Sequence, residues 1–271
     1  MISPTLIEIF GFEIKWYSVL VLAGVIFAYL LIRIESSRFQ IKKDFLFNMM
    51  FWAIIVGIIG ARLYYVLFNL DFYKENLSEI YKIWHGGLAI HGGIIAGLIV
   101  VLIYCKKYNV NSKKILDICA PAVILAQAIG RWGNFFNAEA FGSAVEYKEL
   151  VNMKIIPQFV IDNMYINGEY HLPMFYFESL LCLLGFIIML IIRRRRYAKN
   201  GTIFAFYLIW YGIIRFFVEM FRTDSLMIAD LKVAQAVSVV MILIGIYINL
   251  LQMKKPKLDD LYNKVEEDIS Y

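Results

Sequence analysis

Seven long apolar blocks in the 271-residue chain restrict its fold more than any other feature. A helix needs about 20 mostly apolar residues to cross the hydrocarbon core of a bilayer. Hydrophobic residues make up 61% of this chain and charged residues 18%, whereas soluble domains have about 45–50% and about 25%. The blocks predict an all-α, polytopic membrane protein with seven transmembrane helices, and they exclude a disulfide-rich secreted scaffold, a disordered chain and a soluble enzyme. The predicted spans are residues 17–34, 45–68, 87–105, 115–136, 173–192, 202–221 and 231–251.

The lysines and arginines gather at one end of these spans. The loops after the first, third and fifth spans and the C-terminal tail carry 17 of the 27, and the opposite loops with the N-terminal segment carry six. Because basic loops stay in the cytoplasm, this asymmetry predicts an outer N-terminus and a cytoplasmic C-terminus. It also accounts for the net charge of +5, so no nucleic-acid partner is expected. The predicted organisation is a seven-span domain over 1–253 with an outer loop at 137–172, followed by a short charged cytoplasmic tail at 254–271.

Ionisable and polar side chains inside the spans concentrate towards the outer ends. A charged residue in a span costs free energy, so each one is a candidate for function. Two stripes share a helix face by their spacing, namely Gln127–Arg131–Asn134 in the fourth span and Tyr211–Arg215–Glu219 in the sixth. Further polar residues at this depth are Tyr17, Arg62, His91 and Glu178. The pattern predicts one polar site in the outer-leaflet half, although Arg215 and Glu219 taken alone also fit a simple i, i+4 ion pair.

Two glycine-rich segments contain several of these residues. The segment 85–97, HGGLAIHGGIIAG, places His91 between glycines that allow helices to pack closely or a backbone to approach a ligand. The segment 130–142, GRWGNFFNAEAFG, offers an arginine, two asparagines and a carboxylate on a backbone that can turn sharply. An arginine fork matches phosphate oxygens and keeps its charge at depth. The second segment therefore predicts a binding site for a phosphorylated, hydroxylated headgroup.

These motifs resemble those of the bacterial prolipoprotein diacylglyceryl transferases. Segment 130–142 matches the family pattern GRxGNFxNxExxG at every fixed position. Further matches follow the family order: a Trp-Tyr pair at 16–17, the GARL stretch with Arg62, the His-Gly-Gly block with His91, and YGxxRFxxExxR from Tyr211 to Arg222. The resemblance covers about residues 17–222, and the family shares the seven-span, N-out topology.

The resemblance implies a reaction and its partners. A diacylglyceryl group moves from phosphatidylglycerol to the lipobox cysteine thiol of a preprolipoprotein, and a thioether forms as glycerol phosphate leaves. This implies a multi-pass protein of the bacterial cytoplasmic membrane. By carry-over, the catalytic residues are His91, Arg215, Glu219 and Tyr17. The residues implied in binding phosphatidylglycerol are Arg131, Asn134, Glu139, Gly142, Arg62, Tyr211, Arg222 and Glu178.

One stretch departs from the family pattern. Within 171–179, HLPMFYFES, Leu172 stands where a histidine precedes the proline in the family, and Phe177 stands where a tyrosine precedes the glutamate. Glu178 is still carried over, whereas His171, one residue early, receives no role.

The reaction needs a thiolate and a stabilised leaving phosphate. Arg131 and Arg215 answer the second need, and either His91 or Glu219 could answer the first. The chain has no HExxH or Asp-rich motif, and its three cysteines form no CxxC, so neither a metal nor another cofactor is expected. The alternative is a transporter or channel for anionic solutes, but no inverted repeat relates the two halves. An intramembrane serine protease would need a serine in a strained glycine-rich turn, and no GxSxG occurs.

Overall fold

Helices dominate the computed structural model, which describes residues 3–9, 11–223, 227–228 and 231–265. Within these residues, seven helices are long and apolar enough to cross a membrane, which confirms the predicted fold class. They are α1 (Trp16–Ser37), α2 (Lys43–Phe68), α4 (Ile90–Lys107), α5 (Ser112–Phe136), α8 (Met174–Ile192), α9 (Thr202–Phe221) and α10 (Val233–Met253).

Shorter elements connect the long helices. The helical ones are α3 (Leu70–Glu75), two 3₁₀ turns (Leu77–Glu79 and Ile83–His85), α6 (Tyr147–Asn152) and α7 (Gln158–Ile161). Strands β1 (Thr5–Ile9) and β2 (Phe12–Lys15) form an antiparallel hairpin before α1. Strands β3 (Ala144–Val145), β4 (Tyr165–Ile166) and β5 (Glu169–His171) form an antiparallel sheet in the order β3-β5-β4. Strands β6 (Met227–Ile228) and β7 (Leu231–Lys232) pair before α10.

Two of the long helices begin three residues away from their predicted starts, for local reasons. Helix α5 starts at Ser112 instead of residue 115, because the Asn111 side chain accepts a hydrogen bond of 3.0 Å from the Lys113 N–H and caps the first turn. Helix α4 starts at Ile90 instead of residue 87, because Gly86 and Gly87 have φ angles of 84° and 73°. Those angles are outside the right-handed helical region, so the helix cannot extend back through them.

The described residues divide into two compact units. The first unit comprises the described residues of 1–32 and 116–264, and the second comprises 33–115 together with Val265. In the second unit, α2 packs on α4 through Gly57 and Gly60 against Gly92 and Gly93, where an added Cβ would meet the opposite backbone. The sequence interpretation of the Gly92–Gly93 pair as helix packing is therefore confirmed.

The first unit contains the predicted outer loop at 137–172, which has an apolar core of its own. Leu150 and Val160 are fully buried there, and they cluster with Phe135 from the end of α5 and Phe175 from the start of α8. The three-stranded sheet lies within this segment, so the loop is a folded element attached to the ends of two long helices.

The described part of the C-terminal tail packs on the turn between α8 and α9. Tyr262 is fully buried, and its N–H donates to the Ala198 carbonyl over 2.8 Å. The Lys199 ammonium donates to three carbonyls at the end of α10, those of Gln252, Lys255 and Pro256. Residues 266–271 of the predicted tail lie outside the described residues. The division of the chain at residue 253 stays a prediction.

Candidate functional site

Four charged side chains from three helices meet in the first unit. Nη2 of Arg131 on α5 lies 2.8 Å from Oε1 of Glu178 on α8. On α9, Nη2 of Arg215 lies 2.7 Å from Oε2 of Glu219, and its Nη1 lies 3.6 Å from the second oxygen of Glu178. The two glutamate side chains are 1% and 2% exposed, and the two arginine side chains are 18% and 17% exposed. Two positive and two negative charges balance, which offsets part of the cost of burying them.

Glu178 is the centre of this network. Its two oxygens contact both arginines, and its Oε1 also accepts a hydrogen bond of 3.3 Å from the Tyr211 hydroxyl. The same hydroxyl accepts a hydrogen bond of 3.1 Å from Nη2 of Arg131. No local pattern predicted this central position for Glu178, because its neighbours depart from the family pattern. Its position depends on the packing of α8 between the two stripes.

The stripes extend further along their helices than predicted. The amide of Gln127 donates to the Tyr207 hydroxyl over 3.1 Å, and the Tyr207 and Tyr211 rings stack with centroids 6.0 Å apart. Tyr207 was missed as a member of the polar face. The signal was available, because it precedes Tyr211 by four residues and continues the i, i+4 series of α9.

Tyr17 approaches the site from α1. A Cβ on Gly133 would lie 2.7 Å from the Tyr17 ring, so the absence of a side chain at that position makes room for the tyrosine. Next to this contact, the rings of Trp16 and Phe136 stack with centroids 4.7 Å apart. The aromatic pair that begins α1 thus packs beside Gly133, which lies between Arg131 and Asn134.

The turn after α5 holds the amide and carboxylate groups of the 130–142 segment together. Side-chain nitrogens of Asn134 and Asn137 lie 3.5 Å from the two oxygens of Glu139, whose own side chain reaches solvent. Ala138 and Ala140 adopt φ angles of 51° and 58°. These left-handed conformations are uncommon for alanine and cost free energy, so the surrounding contacts must impose this turn.

The segment ends at Gly142, which is fixed on two sides. Its N–H donates to the Leu172 carbonyl over 2.8 Å, and its backbone pairs with Arg222 at the end of α9. Lys232 donates to the carbonyls of Glu219 and Arg222 over 2.6 and 3.0 Å. Lys232 was not among the predicted site residues, and these two hydrogen bonds tie the start of α10 to the end of α9.

Arg62 lies in the second unit, where the loop between α2 and α4 encloses it. All five of its N–H groups donate to backbone carbonyls, which belong to Glu79, Ile80, Lys82, Gly86 and Gly87. The side chain is buried, and its guanidinium also lies 5.3 Å from the centre of the Tyr73 ring. The expectation that Arg62 binds a headgroup is therefore revised, because no donor is left for a phosphate. We assign it to holding this loop.

His91 also lies in the second unit, on the first turn of α4. Its ring is half-buried and faces the Tyr64 ring at a centroid distance of 6.3 Å. Among the described residues it has no hydrogen-bond partner. The catalytic role implied for it stays a prediction.

The arginines of the first unit keep donors for a ligand. Within the described residues, Nε and Nη1 of Arg131 donate to no protein group, and Nη1 of Arg215 is buried without a hydrogen bond. A phosphate brings several acceptor oxygens and negative charge, which such donors recognise. The arrangement can therefore bind an anionic group and stabilise charge that develops on it.

Comparison with known proteins agrees with this geometry. Residues 4–251 match the family model described as prolipoprotein diacylglyceryl transferase. Three similar proteins are each named phosphatidylglycerol–prolipoprotein diacylglyceryl transferase. The one from Staphylococcus xylosus is 44% identical, over 94% of this chain and 91% of its own length. The one from Listeria monocytogenes is 42% identical, over 97% and 96%, and the one from Streptococcus pneumoniae is 45% identical, over 94% and 96%.

These matches cover nearly the whole of both chains and carry a transferase name. They give no support to the transporter alternative, and they confirm the resemblance that the motifs indicated. Together with the seven apolar helices, they identify a multi-pass membrane protein of the transferase class. The chain belongs to the prolipoprotein diacylglyceryl transferase family.

Proposed function

We propose that this protein transfers the diacylglyceryl group of phosphatidylglycerol to the lipobox cysteine of a preprolipoprotein. The bond between the glyceryl carbon and the phosphate oxygen breaks, a carbon–sulfur bond forms, and glycerol phosphate leaves. The thiol proton passes to a base. The observation that carries the proposal is the pair of arginines that are anchored by carboxylates and still keep unused donors.

The chain's residues have separate parts in this proposal. Arg131 and Arg215 bind the phosphodiester and stabilise the negative charge that grows on the leaving phosphate. Glu178 and Tyr211 orient Arg131, and Glu219 orients Arg215. Asn134 and Glu139 bind the glycerol hydroxyls of the headgroup, because amides and carboxylates are suited to them. Gly142 and Arg222 fix the edge of this segment.

Two residues are candidates for the base that accepts the thiol proton, and an experiment can decide between them. Glu219 lies against Arg215, and the family resemblance also implies a role for His91. His91→Gln and Glu219→Gln would be compared over a range of pH at saturating lipid. Replacing the residue that acts as the base should abolish the rise of the transfer rate with pH. Replacing the other residue should leave that rise in place.

A transfer assay in detergent tests the activity. The wild-type protein would be mixed with phosphatidylglycerol labelled in its acyl chains and with a lipobox peptide, and label on the peptide would be measured. A peptide with the cysteine replaced by serine is the control. Label on the cysteine peptide only is expected. A transporter would produce no covalent product in this assay. Absence of transfer by folded protein would therefore overturn the proposal.

We further propose that the N-terminus and the 137–172 loop face the outside of the bacterial cytoplasmic membrane. The basic loops support this orientation. With the native cysteines replaced by alanine, an impermeant thiol reagent should label Ser143→Cys in intact cells and should label Lys257→Cys only after lysis. Both positions are exposed, so burial does not confuse the result. The reverse pattern would overturn the orientation.

A further inference from the structure

We propose that His171 is a positioning residue that holds the carbonyl of Gly142 and thereby fixes the end of the headgroup-binding segment. The proposal rests on the proposed function, because it assigns a role in binding phosphatidylglycerol. Nδ1 of His171 lies 3.0 Å from the Gly142 oxygen. The sequence alone gave this histidine no role.

The backbone brings the two residues together. Strand β5 pairs with β3 so that His171 lies opposite Ala144. Beyond this pair, Gly142 N–H donates to the Leu172 carbonyl over 2.8 Å, and Leu172 N–H donates to the Ser143 carbonyl over 3.1 Å. The main chain of β5 therefore anchors one end of the 130–142 segment, and the imidazole adds a side-chain bond to the same glycine.

The ring is held in place by its neighbours. The Phe141 ring lies against the His171 ring with centroids 4.6 Å apart. The main-chain N–H of His171 donates to the Met164 carbonyl over 3.0 Å, which fixes the backbone that carries the ring. A carbonyl oxygen only accepts hydrogen bonds, so Nδ1 must carry the proton.

Gly142 connects this strand to the charged network. Its backbone pairs with Arg222, the residue that follows α9, and α9 carries Arg215 and Glu219. A Cβ on Gly142 would lie 2.8 Å from Met174 and 3.0 Å from Leu172, so the backbone passes close to its neighbours on this side. Loss of the imidazole bond should loosen Gly142 and the turn that carries Asn134 and Glu139. The chemistry at the arginines should be less affected.

The proposal predicts different results for two amides at position 171. An Asn amide nitrogen is bonded to Cγ, as Nδ1 is, so His171→Asn can still donate to the Gly142 carbonyl. The Gln amide nitrogen lies one bond further out, in the place of Nε2, so His171→Gln cannot donate in this geometry. His171→Phe keeps a ring against Phe141 and removes the donor. Glu169→Gln changes an exposed side chain on the same strand and is the matched control.

The rate of transfer would be measured against phosphatidylglycerol concentration at saturating peptide, with thermal stability recorded for each variant. For His171→Gln and His171→Phe, the KM for phosphatidylglycerol should rise about fivefold to tenfold, roughly what one hydrogen bond contributes. Their kcat should stay within about threefold of wild type, and His171→Asn should restore the KM to within about twofold.

Three results would overturn the proposal. Equal effects of Asn and Gln would show that the Nδ1 contact is irrelevant. A fall in kcat with an unchanged KM would indicate a role in the chemical step. Losses that follow thermal stability alone would indicate a purely structural role. Failure of the proposed function is distinguishable from each of these, because the wild-type protein and Glu169→Gln would then transfer no label either.

Discussion

Arginine side chains are held in two different ways in the two units of this protein. In the second unit, the five donors of Arg62 meet five backbone carbonyls of one loop. In the first unit, Arg131 and Arg215 lie against carboxylates and leave donors unused. A guanidinium whose donors all bind backbone carbonyls holds the conformation of the chain around it. A guanidinium that binds a carboxylate with only some of its donors can still bind a ligand with the others. The arrangement of partners, more than burial, distinguishes the two roles.

The largest expected effect comes from removing one side of the charged network completely. The double variant Arg215→Met with Glu219→Leu keeps the charges balanced, because Arg131 still faces Glu178. Its thermal stability should exceed that of Glu219→Leu alone, in which Arg215 loses its nearest partner. Transfer should still fall about 100-fold or more, the equivalent of about 2.7 kcal/mol of barrier.

The measurements are the transfer rate and the melting temperature in the same detergent. A double variant that regains activity above both single variants would assign the pair to structure. Arg215 would then belong with Arg62 in the comparison, and the proposed stabilisation of the leaving phosphate would rest on Arg131 alone.

The next effect tests whether a point charge can replace a guanidinium. Arg131→Lys keeps the positive charge near Glu178 but loses the two-pronged donor set that matches phosphate oxygens. Turnover should fall more than about tenfold, or about 1.4 kcal/mol, while membrane abundance changes little. Steady-state rates at saturating lipid and peptide measure this. Near-normal turnover would show that charge alone is sufficient at this position.

Arg62→Lys should lower stability and leave turnover nearly unchanged, which is the opposite of the result expected for Arg131→Lys. An ammonium has three donors for the five carbonyls that Arg62 now satisfies, so at least two carbonyls lose their partner. An unsatisfied buried group costs about 1–3 kcal/mol, so the free energy of unfolding should fall by about 2 kcal/mol or more. The kcat of the folded fraction should stay within about threefold of wild type.

Melting temperature, abundance and kcat separate the two classes of arginine directly. An unchanged melting temperature combined with a tenfold loss of activity would restore Arg62 to the binding residues that the family motif implied. The comparison between the two units would then fail.

Much of the fold and part of the site could be predicted because their signals are local. Apolar length defines the long helices, and the i, i+4 spacing placed Arg131 on one stripe and Arg215 on another. Glu178 could be named from the motif but its central position could not, since it depends on how three helices pack. The saturation of Arg62 was equally hidden, because its acceptors are main-chain oxygens of an irregular loop, which have no side-chain signature.

The tail illustrates the same limit at the other end of the chain. The sequence predicted only a short charged tail, yet Tyr262 is fully buried and Asp260 contacts both Asn200 and Lys255. The contact between Asn200 and Asp260 joins residues 60 positions apart. Pairing over that distance leaves no periodic pattern in the sequence.

The smallest expected effect lies on the rim of the Arg62 loop. The Glu79 side chain contacts Lys82 and His85 over 2.6 and 2.7 Å, whereas only its carbonyl contacts Arg62. The hydrogen bond from Lys82, with a second from His85, lowers the pKa of Glu79 below its usual value of 4.5, and Glu79 raises the pKa of Lys82. A carboxyl with a lowered pKa in the folded state stabilises the fold above its unfolded pKa, and this stabilisation is lost as pH falls through the lowered value. The pair is therefore intact at pH 7, but it reaches solvent and is screened by salt.

For Glu79→Gln, the melting temperature at pH 7 should fall less than for Arg62→Lys, and the transfer rate should stay within about twofold of wild type. The difference from wild type should shrink in high salt and disappear below the lowered pKa. A loss as large as that of Arg62→Lys would show that the Glu79 side chain, and not only its carbonyl, holds the loop.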